Sequence, residues 1–273
     1  MTKISLLIVN ISIFLSTTIV SCSSEKDNVV SDSPEAGNLQ LVINGEDFVR
    51  NGFVTKDSWK IEFEQVAVNV GNVTAYQTNP PFDPDRDEQI QPQEAVLVLD
   101  EAKTIDLTEG TEAIAVEQVS ALPGSYNALT WELIPGDENT FEEQTIVMEG
   151  QATKEGQLIN FTLGFAVPVT YRCGEYVGDE RKGIVQPGES SEIEMTLHFD
   201  HIFGDFDTPP EDDLNQKALG FQPLANLAQE QELQADWQTL QQQLPPEDFQ
   251  NLTQAIVGLG HVGEGHCKAE YKQ

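Results

Sequence analysis

The chain has four histidines, and they stand in two tight pairs. His198 and His201 lie in LHFDHIFGD (197–205), His261 and His266 in GLGHVGEGHC (258–267). Neutral imidazole offers a nitrogen lone pair near physiological pH, which makes histidine the commonest metal ligand. Two short-spaced pairs from distant segments are a usual way to assemble a four-point site. Two carboxylates, Asp200 and Glu264, sit within the same stretches. The expected ligand set is therefore His198, His201, His261 and His266, with Asp200 and Glu264 in reserve. Glu264 is open to three roles: ligand, general base or hydrogen-bond partner of a ligand. Nitrogen-rich ligation suits zinc, copper(II) or nickel and suits calcium or magnesium poorly, so the ion expected is zinc or copper.

These residues can act together only if the chain around them bends. Val-Gly-Glu-Gly separates His261 from His266, and the two glycines let a short loop turn both rings toward one point. The first pair is harder. Ile193, Met195, Leu197 and Phe199 alternate with Glu192, Glu194, Thr196, His198 and Asp200, a strand pattern that puts His201 in phase with the apolar face. His198 and His201 converge if the strand ends or bulges near Phe199, and Gly204 is well placed for an ending. A strand that continues would instead leave His201, His261 and His266 as the trio and His198 aside.

The rest of the chain supplies the frame. Strand patterns recur at WKIEFEQVAVNV, AVLVLD, AIAVEQV, YNALTWELI, TIVMEGQA and LINFTLGFAVPVTY, punctuated by Pro-Gly and Gly turns. In the first of these the apolar phase slips between Phe63 and Val66, which predicts a β-bulge near Gln65. Successive β-rich segments of this kind predict a mainly β fold, an antiparallel β-sandwich over 39–207. From about 208 the composition turns to Gln, Ala and Leu, predicting a helical C-terminal cap over 208–273 that carries the second histidine pair. Asp83, Asp85, Asp87 and Glu88 alternate like a calcium loop but lack its glycine and distal glutamate, and read as an exposed acidic turn.

At the other end, Lys3 precedes an apolar run from Ile4 to Val20, the layout of an export signal over 1–21. Ile19-Val20-Ser21-Cys22 resembles a lipobox, which implies lipid attachment at Cys22. Ser23 after that cysteine resembles an outer-membrane address, on either the periplasmic or the surface face. Residues 22–38 are polar, with Pro and Gly, and read as a flexible tether. With Cys22 lipidated, Cys173 and Cys267 remain as an even pair in an oxidising compartment, where a disulfide is the default; thiolate ligation of a metal is the alternative.

The net charge of −32 makes nucleic acid and anionic membrane surface poor partners and cations good ones. There is no H-E-x-x-H helix, C-x-x-C pair, glycine-rich phosphate loop or G-x-S-x-G elbow, so no catalytic residue is assigned. LPGSYNALTWELI (122–134) resembles the turn-and-strand element of the methanobactin-associated copper-binding (MbnP-like) β-sandwich proteins and similar bacterial lipoproteins. That resemblance does not extend to the histidine pairs, and zinc and copper both stay open. The reading is a membrane-anchored exported lipoprotein that binds a divalent transition metal for capture, delivery or sensing, with a metal transporter or metalloprotein as partner. Its alternatives are a metal-free structural or adhesive surface lipoprotein, or a zinc-dependent hydrolase. The hydrolase would show a cleft beside Glu264 and at most three protein ligands.

Overall fold

The computed structural model describes residues 35–136 and 143–271. The signal segment, Cys22 and the first part of the tether lie outside the described residues. Strand β1 (Gly37–Asn44) buries Leu39, Leu41 and Ile43 and leads into helix α1 (Glu46–Asn51) and the short β2 (Phe53–Val54). The spine is β3 (Lys60–Thr78). Its alternating apolar residues slip phase where expected: the register with its neighbour shifts between Phe63 and Gln65, the predicted bulge. Next come β4 (Pro92–Leu99), β5 (Lys103–Asp106), β6 (Ile114–Ala121), β7 (Gly124–Ser125) and β8 (Ala128–Leu133).

A tight hairpin joins β9 (Ile146–Lys154) to β10 (Gln157–Phe165). Glu155 and Gly156 both take positive φ there, 51° and 85°, as a two-residue turn matched to strand twist requires. Three strands come after it, β11 (Val169–Cys173), β12 (Ile184–Val185) and β13 (Ser190–Leu197). Helices and strands then alternate: α2 (Asp200–Phe203), α3 (Asp213–Lys217), α4 (Gln222–Ala225) and β14 (Glu232–Ala235). The chain closes with α5 (Trp237–Gln243), α6 (Pro246–Val257), β15 (Gly260–Val262) and β16 (Gly265–Tyr271).

The mainly β class holds, but all the strands except β7 and β12, which pair with each other, build one large curled sheet rather than a demonstrated sandwich. Its order is β14-β10-β9-β3-β8-β11-β16-β15-β13-β1-β6, with β2, β4 and β5 also paired to β3. Nor is it purely antiparallel, because β1 runs parallel to β13 and β10 parallel to β14. The second of these shows why the expected helical cap is broken. Within the Gln- and Leu-rich stretch, Gly220 at φ 82° and Glu230 and Gln231 at positive φ turn the chain. Leu233 and Ala235 then bury on one side while Glu232 and Gln234 stay exposed, a period of two that makes an edge strand despite good helix-forming residues. Only the PPEDFQNLTQAIVGLG segment forms the long helix its spacing predicts, α6.

Several ties hold this C-terminal region against the sheet. Cys173 and Cys267 are bonded, a disulfide between directly paired residues of β11 and β16 at a sequence separation of 94. The thiols are therefore not metal ligands. The buried Tyr171 ring stacks on Trp131 at 4.2 Å, and its hydroxyl donates to the Ile256 carbonyl at 3.2 Å. Gly260 crosses that ring so closely that a β-carbon there would lie 2.4 Å from it. Lys56 donates to the carbonyls of Asn215 and Ala218, while the Asp57 carboxylate accepts from the Phe221 and Gln222 amides. Among the described residues no helix is long and apolar enough to cross a membrane.

Candidate metal centre

Strand β13 ends at Leu197 and gives way to a single helical turn, α2. Phe199, Ile202 and Phe203 are fully buried, each contributing about 1.5–3 kcal/mol by leaving water. Their burial turns Asp200 and His201 to the opposite side. Gly204, at φ 67°, stops the turn. The ending that the sequence left open thus occurs, and it brings His198 and His201 together, with ring centroids 5.7 Å apart.

The second pair sits on the hairpin of β15 and β16, where His261 is directly opposite His266. Gly263 at φ 59° supplies the positive dihedral at the tip. This hairpin is fastened to β13: His261 pairs with Thr196, and the Gly263 amide donates to Thr196 Oγ1 at 3.0 Å. Thr196 and Glu194 belong to the polar face of β13, yet both are buried. Lys182 covers that face by pairing with Glu194.

The result is a cluster of imidazoles. His198 and His261 stack at 4.0 Å with a 22° tilt, and His201 meets His261 edge-on at 5.0 Å. Ligating atoms of His198, His201 and His261 all lie within 4.8 Å of one another. Nitrogens sharing a tetrahedral ion at bonds of 2.0–2.1 Å stand roughly 3.3 Å apart, so the set would have to draw together to share one ion. His266 joins less closely: its ring is 4.4 Å from His261 but 6.2 Å from His201, and it is exposed. Of the four expected ligands, three form the inner group and His266 stands at its rim. Glu264 is exposed at the hairpin tip, its amide donating to the Val177 carbonyl at 2.8 Å. Asp200 faces inward, and its Oδ1 is buried with no hydrogen-bond partner.

Hydrogen bonds fix which nitrogens carry protons. A carbonyl only accepts, so Nδ1 of His201 donates to the Gly258 carbonyl at 3.1 Å and Nε2 keeps a lone pair. In the same way Nε2 of His198 donates to the Gly263 carbonyl at 3.2 Å, leaving Nδ1 directed at Glu46. These are the outer carbonyl contacts that orient metal-binding histidines. His261 differs. It is 2 % exposed, and neither ring nitrogen has a hydrogen-bond partner. The Gly258 carbonyl acts on it electrostatically without reaching hydrogen-bonding geometry. A buried polar group left unpaired costs about 1–3 kcal/mol, and an ion on one nitrogen removes that penalty.

Burial, followed by the neighbouring imidazoles, pulls the His261 pKa down to about 2. Burial also lowers that of His201, partly offset by the Asp200 carboxylate. Both rings are neutral at physiological pH, as ligands must be.

Glu46 borders the group on the His198 side, and nothing in the sequence singled it out. It opens α1 at φ 61°, a strained conformation for a residue other than glycine, costing about 1–3 kcal/mol. The Asn44 side chain accepts its amide proton at 2.8 Å and so holds this corner. Its Oε2 lies 3.6 Å from Nδ1 of His198. A cation between the two atoms, a proton or a metal ion, would favour that approach. Burial raises the Glu46 pKa, His198 opposes the shift, and Asp200, Glu264 and Glu194 add to it. A divalent ion among three neutral imidazoles and the carboxylates of Glu46 and Asp200 would leave no net charge to bury.

The cluster opens into a cavity of about 570 Å³ that Asp200, Asp212, Asp213 and Glu264 also line. Carboxylates at such a mouth concentrate cations. The acidic turn of 83–88 is separate: Arg86 pairs with Asp83 at 2.5 Å, and Asp87 accepts the Asp83 amide at 2.9 Å.

Compared with protein-family models, curated proteins and solved structures, the chain matches none.

Proposed function

We propose that the chain is an exported lipoprotein, anchored through Cys22 at the outer membrane, that binds one divalent transition-metal ion. Its ligands are His198, His201 and His261, with Glu46 and Asp200 supplying negative charge. The buried, unpartnered imidazole of His261, gathered with two others, is the observation that carries this reading. Three imidazoles and a carboxylate suit zinc or copper(II). The anchor rests on the sequence, on Lys3, the apolar run and the lipobox-like Ile19-Val20-Ser21-Cys22. The role is capture, delivery or sensing of the ion, with a metal transporter or metalloprotein as partner.

Metal analysis of the full chain purified in detergent without a histidine tag tests the site. One equivalent of zinc or copper is expected, lost in the His198→Ala/His261→Ala variant. Protein that stays metal-free after incubation with both ions refutes the site and leaves the structural lipoprotein reading. Replacing Cys22 by Ala tests the anchor, since the variant then partitions to the aqueous phase. A second reading, a zinc-dependent hydrolase, draws on the cavity beside Glu264 and on an inner group of three imidazoles. Hydrolysis of activated esters by the zinc-loaded protein, absent without zinc, would favour it.

A further inference from the structure

We infer that His266 is the exchange ligand of this centre, the donor through which the ion enters and leaves, rather than part of the resting coordination set. The inference rests on the metal reading above. Two of the three inner ligands are poorly placed to receive an ion from outside, because His198 and His261 are buried at 7 % and 2 % exposure, while His201 is half-buried. Metal transfer proceeds by stepwise replacement, in which an incoming donor binds before an outgoing one departs. An ion held largely by buried rings exchanges more readily through an outer donor within reach of both the ion and the solvent.

His266 has that position. It faces His261 across the hairpin, rings 4.4 Å apart, but is itself exposed. Its distance from His201 keeps it out of the inner group. It also lines two cavities: the one holding the inner imidazoles, and an adjoining one formed with Phe82, Asp83, Glu175 and Val177. Glu264 likewise borders both and adds a carboxylate beside the ring. Among the histidines, His266 alone lines both cavities, which meet at the hairpin tip. The ion stays divalent throughout, and each nitrogen–metal bond formed at His266 is matched by one released to water, to a chelator or to the inner set.

A group that serves only the passage lowers the barrier equally in both directions and leaves the end states alone. Removing it slows uptake and release together while the dissociation constant stays put. The test uses full-length protein in detergent, zinc as the probe, and a chromogenic chelator as donor and acceptor. Stopped-flow mixing gives the two rates, and equilibrium competition gives the affinity. For His266→Ala we expect both rates to fall by about an order of magnitude, with affinity within about threefold of the parent; His261→Ala should instead lose affinity by about 10–100-fold or more. A His266→Ala protein that loses affinity as His261→Ala does would make His266 an inner ligand and overturn the inference. Unchanged rates in both directions would overturn it equally. If the unmodified protein takes up no zinc or copper at equilibrium, the metal reading fails first, a result the affinity measurement alone reveals.

Discussion

His261 and His266 stand directly opposite each other across one hairpin, yet one is buried without a hydrogen-bond partner and the other is exposed. The asymmetry arises from what each strand packs against. β15 lies on β13 and over the Tyr171 ring, whereas the first residues of β16 run along the rim of a cavity. The same pair of residues thus gives the centre an inner face and an outer face.

Metal binding to the native state alone must raise its stability. Zinc held at 100 times its dissociation constant adds about 2.7 kcal/mol, which for a chain of this size moves the melting temperature up by roughly 5–10 °C. Scanning calorimetry with and without zinc measures it. The His198→Ala/His261→Ala protein should show no shift; a shift that survives both substitutions would place the ion elsewhere.

Acid should weaken the metal-free protein for a reason the structure makes explicit. His261 has an ordinary value of 6.5 and a folded value of about 2. The folded value is the lower one, so between the two the unfolded chain holds the extra proton. Stability therefore declines as pH falls through 6.5 and goes on declining toward 2, by up to about 1.4 kcal/mol per pH unit for this one group. His201 acts in the same direction, and Glu46, raised by burial, acts oppositely above its ordinary value of 4.5, up to its raised folded value. Urea unfolding of chelator-treated protein at pH 7, 6 and 5 gives the slope. Replacing His261 by Ala should flatten it by close to one proton; equal slopes would show that the ring is not held neutral.

Much of this was legible in the sequence, and the exceptions have identifiable causes. The clustering of imidazoles was readable because two paired spacings are rare by chance. The bulge near Gln65 could be read from the phase slip, whereas the end of β13 stayed open, because Gly204 allows a strand to stop without requiring it. The mixed sheet could not, since parallel pairing of β1 with β13 joins segments far apart in the chain and leaves no local mark. β14 was hidden because helix-forming composition was overridden by the burial of two side chains at an edge. Glu46 was hidden for a similar reason: its importance comes from a strained backbone corner between β1 and α1, which only the pairing of β1 with β13 brings beside His198.

The close crossing at residue 260 should make glycine indispensable there. A methyl group would lie 2.4 Å from the Tyr171 ring, itself pinned by Trp131 and the Ile256 carbonyl. Overpacking of this kind costs about 1–3 kcal/mol. The strand must shift to relieve it, and it carries His261 along. Gly260→Ala is thus expected to lower both the melting temperature and zinc affinity, read by calorimetry and chelator competition. A variant with normal affinity would mean that the hairpin moves without disturbing the inner imidazoles.

The disulfide closes a loop of 94 residues that includes β12, β13 and every helix after α1. In the chain-entropy model such a closure is worth about 4–5 kcal/mol. Cys173→Ser/Cys267→Ser should lose stability on that scale in urea unfolding. Because neither cysteine belongs to the inner group, zinc should still bind and recover part of the loss; a double variant that folds but no longer binds would show that the bridge sets the ligand geometry.

Replacing Glu46 by Gln separates what this residue does for the ion from what it does to the empty protein. Without an ion, its carboxylate is partly buried beside Asp200, Glu264 and Glu194, all of which disfavour its charge. A neutral amide of the same shape escapes that repulsion, so the metal-free variant should be at least as stable as the parent at pH 7. With an ion, the variant lacks a negative oxygen 3.6 Å from Nδ1 of His198, and affinity for zinc should fall by about 10–100-fold. The two effects have opposite signs, and only a residue placed to meet a cation gives that combination. Urea unfolding of the metal-free forms and chelator competition on the loaded forms supply the two numbers. A variant weakened in both would make Glu46 a structural brace of α1, and one altered in neither would remove it from the site.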